Sequence, residues 1–115
     1  MSVRIYHNPR CSKSRATLAL LEENGHAPEV VEYLKTPPTE DELRQVLAAL
    51  GLGPRDVIRT GETAYKDNNL ADESLSDDQL IAAMVADPIL IERPIVVSGG
   101  KAKIGRPPEG VLDIL

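Results

Sequence analysis

The chain has 115 residues and a formal net charge of −5, with one cysteine, two histidines, three tyrosines and neither Phe nor Trp. That length suits one domain that can bury a core unaided, and a single cysteine excludes an internal disulfide framework, a dithiol redox pair and a cysteine-rich zinc site. The acidic balance and the scarcity of aromatic rings argue against nucleic acid as a partner; the polar start and the lack of any run of ~20 apolar residues argue against export and membrane insertion, so a cytoplasmic protein is expected.

Val3–Tyr6 alternates apolar and polar residues and predicts a short strand, broken by His7-Asn8-Pro9. Residues 12–24 predict a helix, with apolar positions at Ala16 and from Leu18 to Leu21, and Gly25 as its stop. Glu29–Tyr33 predicts a second strand around Val30 and Val31, and Thr36-Pro37-Pro38 a loop. Thr39 and Glu42 have the spacing of a capping box, followed by Leu43, Val46, Leu47 and Leu50 at helical spacing and by Gly51. Pro54 suits the first turn of a short helix through Val57 and Ile58. Thr60–Asn69 reads as loop or weak helical turn. Ser76 and Gln79 make a second capping box ahead of Leu80, Ile81, Met84 and Val85, and Asp87-Pro88 ends that helix.

Ile95-Val96-Val97 predicts a buried strand. Ser98-Gly99-Gly100 then predicts a tight turn, with Lys101–Ile104 as the antiparallel partner. A last short helix follows Pro107-Pro108, with Val111, Leu112 and Leu115 apolar. The order is βαβ, a helical middle, then ββα. It predicts an α/β fold with a mixed four-stranded sheet, a right-handed parallel crossover first and an antiparallel hairpin last. The order matches a thioredoxin-like topology forming one domain over residues 1–115, with a helical insertion at about 36–90.

Charge is segregated along the chain. Residues 1–15 sum to +4 and residues 93–115 to +2, whereas 16–51 and 52–92 sum to −5 and −6. The acidic middle reads as solvated helix faces. The basic start holds Cys11 between a strand-ending turn and a helix. Backbone N–H groups at a helix N-terminus, with Arg10, Lys13 and Arg15 close in sequence, favour a thiolate. Ser12, Ser14 and Asn8 are further donors in reach. The same groups would cradle an oxyanion. The plainer alternative is an inert buried cysteine. Cys11-Ser12-Lys13-Ser14 is C-x-x-S and has no neighbouring resolving thiol. A phosphatase C-x5-R loop would need Arg at position 17, where Thr17 stands.

The chain resembles the glutaredoxin-dependent arsenate reductases, a thioredoxin-like family related to the Spx-type regulators. The resemblance rests on the run from Ile5 to Arg15, on Tyr33-Leu34 before Thr36-Pro37-Pro38, on Glu92-Arg93-Pro94-Ile95-Val96-Val97, and on Gly105-Arg106-Pro107 ahead of residues 111–115. These blocks come in the family's order and span almost the whole chain. The resemblance implies that Cys11 is the nucleophile toward arsenate, with His7 helping to orient or activate it. It assigns oxyanion binding to Arg59, Arg93 and Arg106, and places Ser14 and Arg15 in the cysteine loop as substrate-binding residues. It implies a cis Pro94 facing the cysteine, no bound cofactor, glutathione as co-substrate and glutaredoxin as partner. Forked guanidiniums suit a tetrahedral oxyanion and lower the repulsion that a thiolate meets in attacking it.

Each residue has a plainer role as well. Arg59 could complement a helix dipole, Arg93 precede a structural proline, Arg106 sit in a turn and His7 serve as a structural hydrogen-bonder. The pair Ser12-Lys13 departs from the Gly-Thr of plasmid-type enzymes, which also continue beyond the position of Leu115. This leaves arsenate, another oxyanion or a thiol as substrate. Two other functions stay open: a redox-sensing adaptor of RNA polymerase, as in the Spx-type regulators, and a glutathione-dependent thiol transferase.

Overall fold

A computed structural model describes residues 2–115. They form two compact units, one of residues 2–36 with 93–115 and one of residues 37–92.

The first unit holds the sheet. Its strands are β1 (Val3–His7), β2 (Glu29–Glu32), β3 (Ile95–Ser98) and β4 (Lys101–Ile104), in the order β2-β1-β3-β4. β1 pairs parallel with β2 and antiparallel with β3, and β3 pairs antiparallel with β4. The mixed four-stranded α/β sheet expected from the sequence is therefore present. β2 is an edge strand, which leaves Val30 44% exposed. The β3–β4 turn is two residues, Gly99 and Gly100, both at positive φ as a twist-matched hairpin turn requires. Ser98 is not part of that turn: it is the last residue of β3, buried opposite Val3.

Helix α1 (Ser12–Glu23) makes the crossover between β1 and β2. Its buried stripe is Ser14, Thr17 and Leu21, with Ala16 and Ala19 exposed. Leu18 and Leu20 pack half-buried against the core that Leu21 joins, and two polar side chains, Ser14 and Thr17, are buried beside them. Thr17 Oγ1 donates to Lys13 O at 2.8 Å, which satisfies the hydroxyl within the helix. The core of this unit is Val3, Ile5, Leu21, Val96 and Val111. The C-terminal segment Pro108–Ile114 is a 3₁₀ helix. At three residues per turn, Pro108, Val111 and Ile114 share a face, so Val111 is buried while Leu112 and Leu115 are exposed.

The second unit is helical, comprising α2 (Glu40–Leu50), α3 (Pro54–Val57), α4 (Thr63–Asp67) and α5 (Asp77–Ala86), then a 3₁₀ turn at Pro88–Leu90. Thr39 Oγ1 caps α2 by accepting from Glu42 N–H, and Gly51 ends it at φ 72. Ser76 and Gln79 cap α5 reciprocally. Thr60–Asn69 contains the single-turn α4. Leu43, Val46 and Leu47 of α2 and Leu80, Ile81 and Met84 of α5 supply buried side chains. The bridge Ile58–Ile91 is flanked by Arg59 N–H to Leu90 O and Glu92 N–H to Val57 O. No helix among the described residues is long and apolar enough to cross a membrane.

Candidate active site

Cys11 is the N-cap residue of α1, in extended conformation (φ −92°, ψ 124°). A tight turn delivers it there: Cys11 N–H donates to Asn8 O at 3.0 Å, and Asn8 Oδ1 accepts from Arg10 N–H at 3.0 Å. Arg15 Nη1 donates to Pro9 O at 2.9 Å and ties α1 back to this turn.

Two arginines reach the sulfur from the other end of the chain. Arg106 Nη2 stands 3.5 Å from Cys11 Sγ, and its Nε donates to Arg93 O at 2.8 Å. Arg93 also hydrogen-bonds the sulfur, and its Nε and Nη1 are buried. β1 and β3 are neighbours in the sheet, so the segments before β3 and after β4 come to the Cys11 turn. The Arg93–Pro94 and Arg106–Pro107 peptide bonds are both cis. Partial burial pushes the Cys11 thiol up, but the Ser14 N–H, the Arg93 guanidinium and the Lys13 N–H outweigh it and hold the thiol below its ordinary range.

The serine and asparagine side chains do not take the places foreseen for them. Ser14 is fully buried; its Oγ accepts from Asn8 N–H at 3.0 Å and shares a 2.7 Å hydrogen bond with His7 Nδ1. Its backbone N–H, not its hydroxyl, serves the sulfur. The Asn8 side chain braces the turn. His7 ends β1, only 6% exposed, and couples to α1 through Ser14. Its burial, helped by the Arg15 charge and opposed by Glu32, holds the imidazole below its ordinary pKa, so it is neutral at pH 7. Arg59 belongs to the helical unit, where its Nη1 pairs with Glu92 at 2.7 Å and its Nε with Glu62 at 3.2 Å. Arg15 is exposed and acts on the Pro9 carbonyl.

Gly105, which the sequence offers only as part of the block around Arg106, is a close-packing position beside the site. Its N–H donates to Pro94 O at 2.9 Å, and a Cβ there would lie 2.5 Å from Thr17 Oγ1 and 2.8 Å from Pro94 Cγ. The absence of a side chain lets the segment after β4, which carries Arg106, close onto α1. The available signal was a glycine directly before a basic residue in a strand-ending turn.

Two results are expected from this geometry. Alkylation of Cys11 by iodoacetamide should rise with pH about a midpoint below that of a free thiol, and fade as pH falls through it. Arg93→Ala should move that midpoint up, since it removes a cation that favours the thiolate. An unmoved midpoint would mean that Arg93 does not favour the thiolate. Ser14→Ala should lower stability to urea by about 1–3 kcal/mol, because Asn8 N–H and His7 Nδ1 lose their buried partner.

A single cysteine capping α1 on a β2-β1-β3-β4 sheet, with two arginines at its sulfur, defines a thioredoxin-like protein. The chain belongs to the ArsC family, whose pattern matches residues 6–114. It is 51% identical over 116 residues to an arsenate reductase of Haemophilus influenzae, with 100% of both chains covered. It is 60% identical over 114 residues to the Escherichia coli K12 protein YfgD, covering 98% of this chain and 96% of that one. Among solved structures, an arsenate reductase from Vibrio cholerae matches it with a TM-score of 0.97 at 59% identity, covering 100% of this chain and 98% of the other.

Proposed function

We propose that the protein reduces arsenate to arsenite through a covalent adduct on Cys11, with glutathione and glutaredoxin as the external reductants. The observation that carries this reading is the meeting of Arg93 and Arg106 on the sulfur of a single, acidified cysteine. Kinship with arsenate reductases at about half identity supports the same substrate.

The thiolate attacks arsenic, an arsenic–sulfur bond forms and an oxygen leaves as water. Arg93 and Arg106 place forked donors on the oxyanion and offset the charge gathered in the transition state. The N–H groups of Lys13 and Ser14 at the α1 terminus add fixed dipoles. Reduction of As(V) to As(III) needs two electrons, which two thiols supply on joining as a disulfide. Cys11 has no second cysteine to join, so the thiols come from outside. Arsenate and two glutathiones give arsenite, glutathione disulfide and water, with glutaredoxin taking the glutathionyl group.

The test is NADPH oxidation coupled through glutathione reductase, with arsenate, glutathione and glutaredoxin present. Turnover that stops when either arsenate or glutaredoxin is omitted is expected. Wild-type protein with no turnover would overturn the proposal. Transfer of glutathione between thiols without arsenate reduction would favour a thiol transferase.

A further inference from the structure

A cavity of about 220 Å³ opens beside the Cys11 turn, lined by His7, Asn8, Pro9, Arg10, Glu32, Leu34 and Lys35. It lies where β1 and β2 end. Arg93 and Arg106 approach the sulfur from the ends of β3 and β4, on the opposite side of β1 in the strand order. The oxyanion thus belongs to one flank of the cysteine turn, and the other flank carries an open pocket.

The charges of that pocket are specific. Its rim carries two cations, Arg10 and Lys35, and one carboxylate, Glu32. Lys35 Nζ is 3.6 Å from Glu32 Oε1 and its side chain is 80% exposed, so this pairing is loose and readily exchanged. Leu34 and Pro9 supply an apolar wall, and the neutral His7 forms part of the inner lining. Glutathione is the charge inverse of this rim: two carboxylates, one ammonium and a short uncharged backbone. We propose that this cavity is the glutathione site, with Arg10 and Lys35 drawing a carboxylate-bearing arm and Glu32 the ammonium, so that the glutathione sulfur meets Cys11 from the flank away from the arginines. The inference rests on the reading that external thiols service Cys11, and it adds where they bind.

The test dispenses with arsenate. In reduced protein the Cys11 thiolate attacks a disulfide; one sulfur–sulfur bond forms, another breaks and a thiolate leaves. With glutathione disulfide the products are glutathionylated Cys11 and glutathione. With bis(2-hydroxyethyl) disulfide, an uncharged probe, the same chemistry proceeds without charges to recognise. Wild type should react faster with glutathione disulfide once the two probes' rates with a free thiol are divided out, and added salt should shrink that preference. Lys35→Glu should cut it about threefold to fivefold, and Arg10→Gln with Lys35→Glu roughly tenfold, on the scale of exposed charge pairs. Rates with the uncharged disulfide normalise any change in the thiolate itself.

No preference in wild type, or a preference unchanged in the double variant, would overturn the site. Arsenate turnover bears separately on the proposed function. A protein that keeps the preference but reduces no arsenate refutes that function and leaves this site standing. One that reduces arsenate without the preference does the reverse.

Discussion

Cys11→Ser is expected to abolish arsenate reduction, with a loss of roughly 10⁴-fold or more in turnover, while the protein stays folded. A serine hydroxyl at neutral pH supplies almost no alkoxide, and no other thiol exists to replace the nucleophile. The substitution is nearly isosteric at a partly exposed position, so unfolding by urea should change little. Anion binding should survive and tighten, because a negative charge disappears from between Arg93, Arg106 and the α1 N–H groups. Calorimetry with arsenate would read that tightening. Turnover retained in this variant would remove Cys11 from the chemistry. Binding lost together with turnover would show that the sulfur itself holds the oxyanion.

The second large effect is expected at Gly105. Alanine there would place its Cβ 2.5 Å from Thr17 Oγ1, 3.2 Å from Thr17 Cγ2 and 2.8 Å from Pro94 Cγ. Thr17 is fully buried on α1, and Pro94 is buried and directly follows Arg93, so neither can yield freely. Overpacking of this kind costs about 1–3 kcal/mol. The displacement falls on the segment that carries Arg106 to the sulfur. Gly105→Ala should therefore raise KM for arsenate as well as lower the urea midpoint. Gly105→Ala combined with Thr17→Ala removes two of the three close contacts. It should recover part of the stability lost by the single change, with a coupling outside the additive range. A Gly105→Ala protein as stable as wild type, with unchanged KM, would show that the close approach is not what positions Arg106.

The local features of this protein follow from neighbouring residues alone. Thr39 and Ser76 cap their helices as their spacing to Glu42 and Gln79 requires, Gly51 ends α2 through its left-handed conformation, and the Gly99-Gly100 pair forces the hairpin. Cys11 stands at the start of α1 because a proline-containing turn interrupts the strand before it, and this much of the site was legible in the sequence. Which side chains turn inward was less legible in two helices. Apolar counting does not single out Ser14 and Thr17 of α1, which are buried for hydrogen bonding and close packing. Nor does it show that the C-terminal helix winds at three residues per turn, which buries Val111 and leaves Leu112 and Leu115 exposed.

What the chain could not disclose locally is convergence. Arg106 lies 95 residues from Cys11 and is brought to 3.5 Å by two antiparallel pairings across β1, β3 and β4. The role of Gly105 depends on a threonine and a proline remote in sequence. The acidity of Cys11 depends in part on Arg93, which together with the Ser14 and Lys13 N–H groups outweighs the cost of burying the thiol. The sequence by itself determined the elements, their caps and the cysteine's place at a helix terminus, since those depend on residues within a few positions of each other. Only the tertiary structure decided which charges meet the sulfur and from which flank, because sheet pairing sets that geometry between residues far apart in the chain.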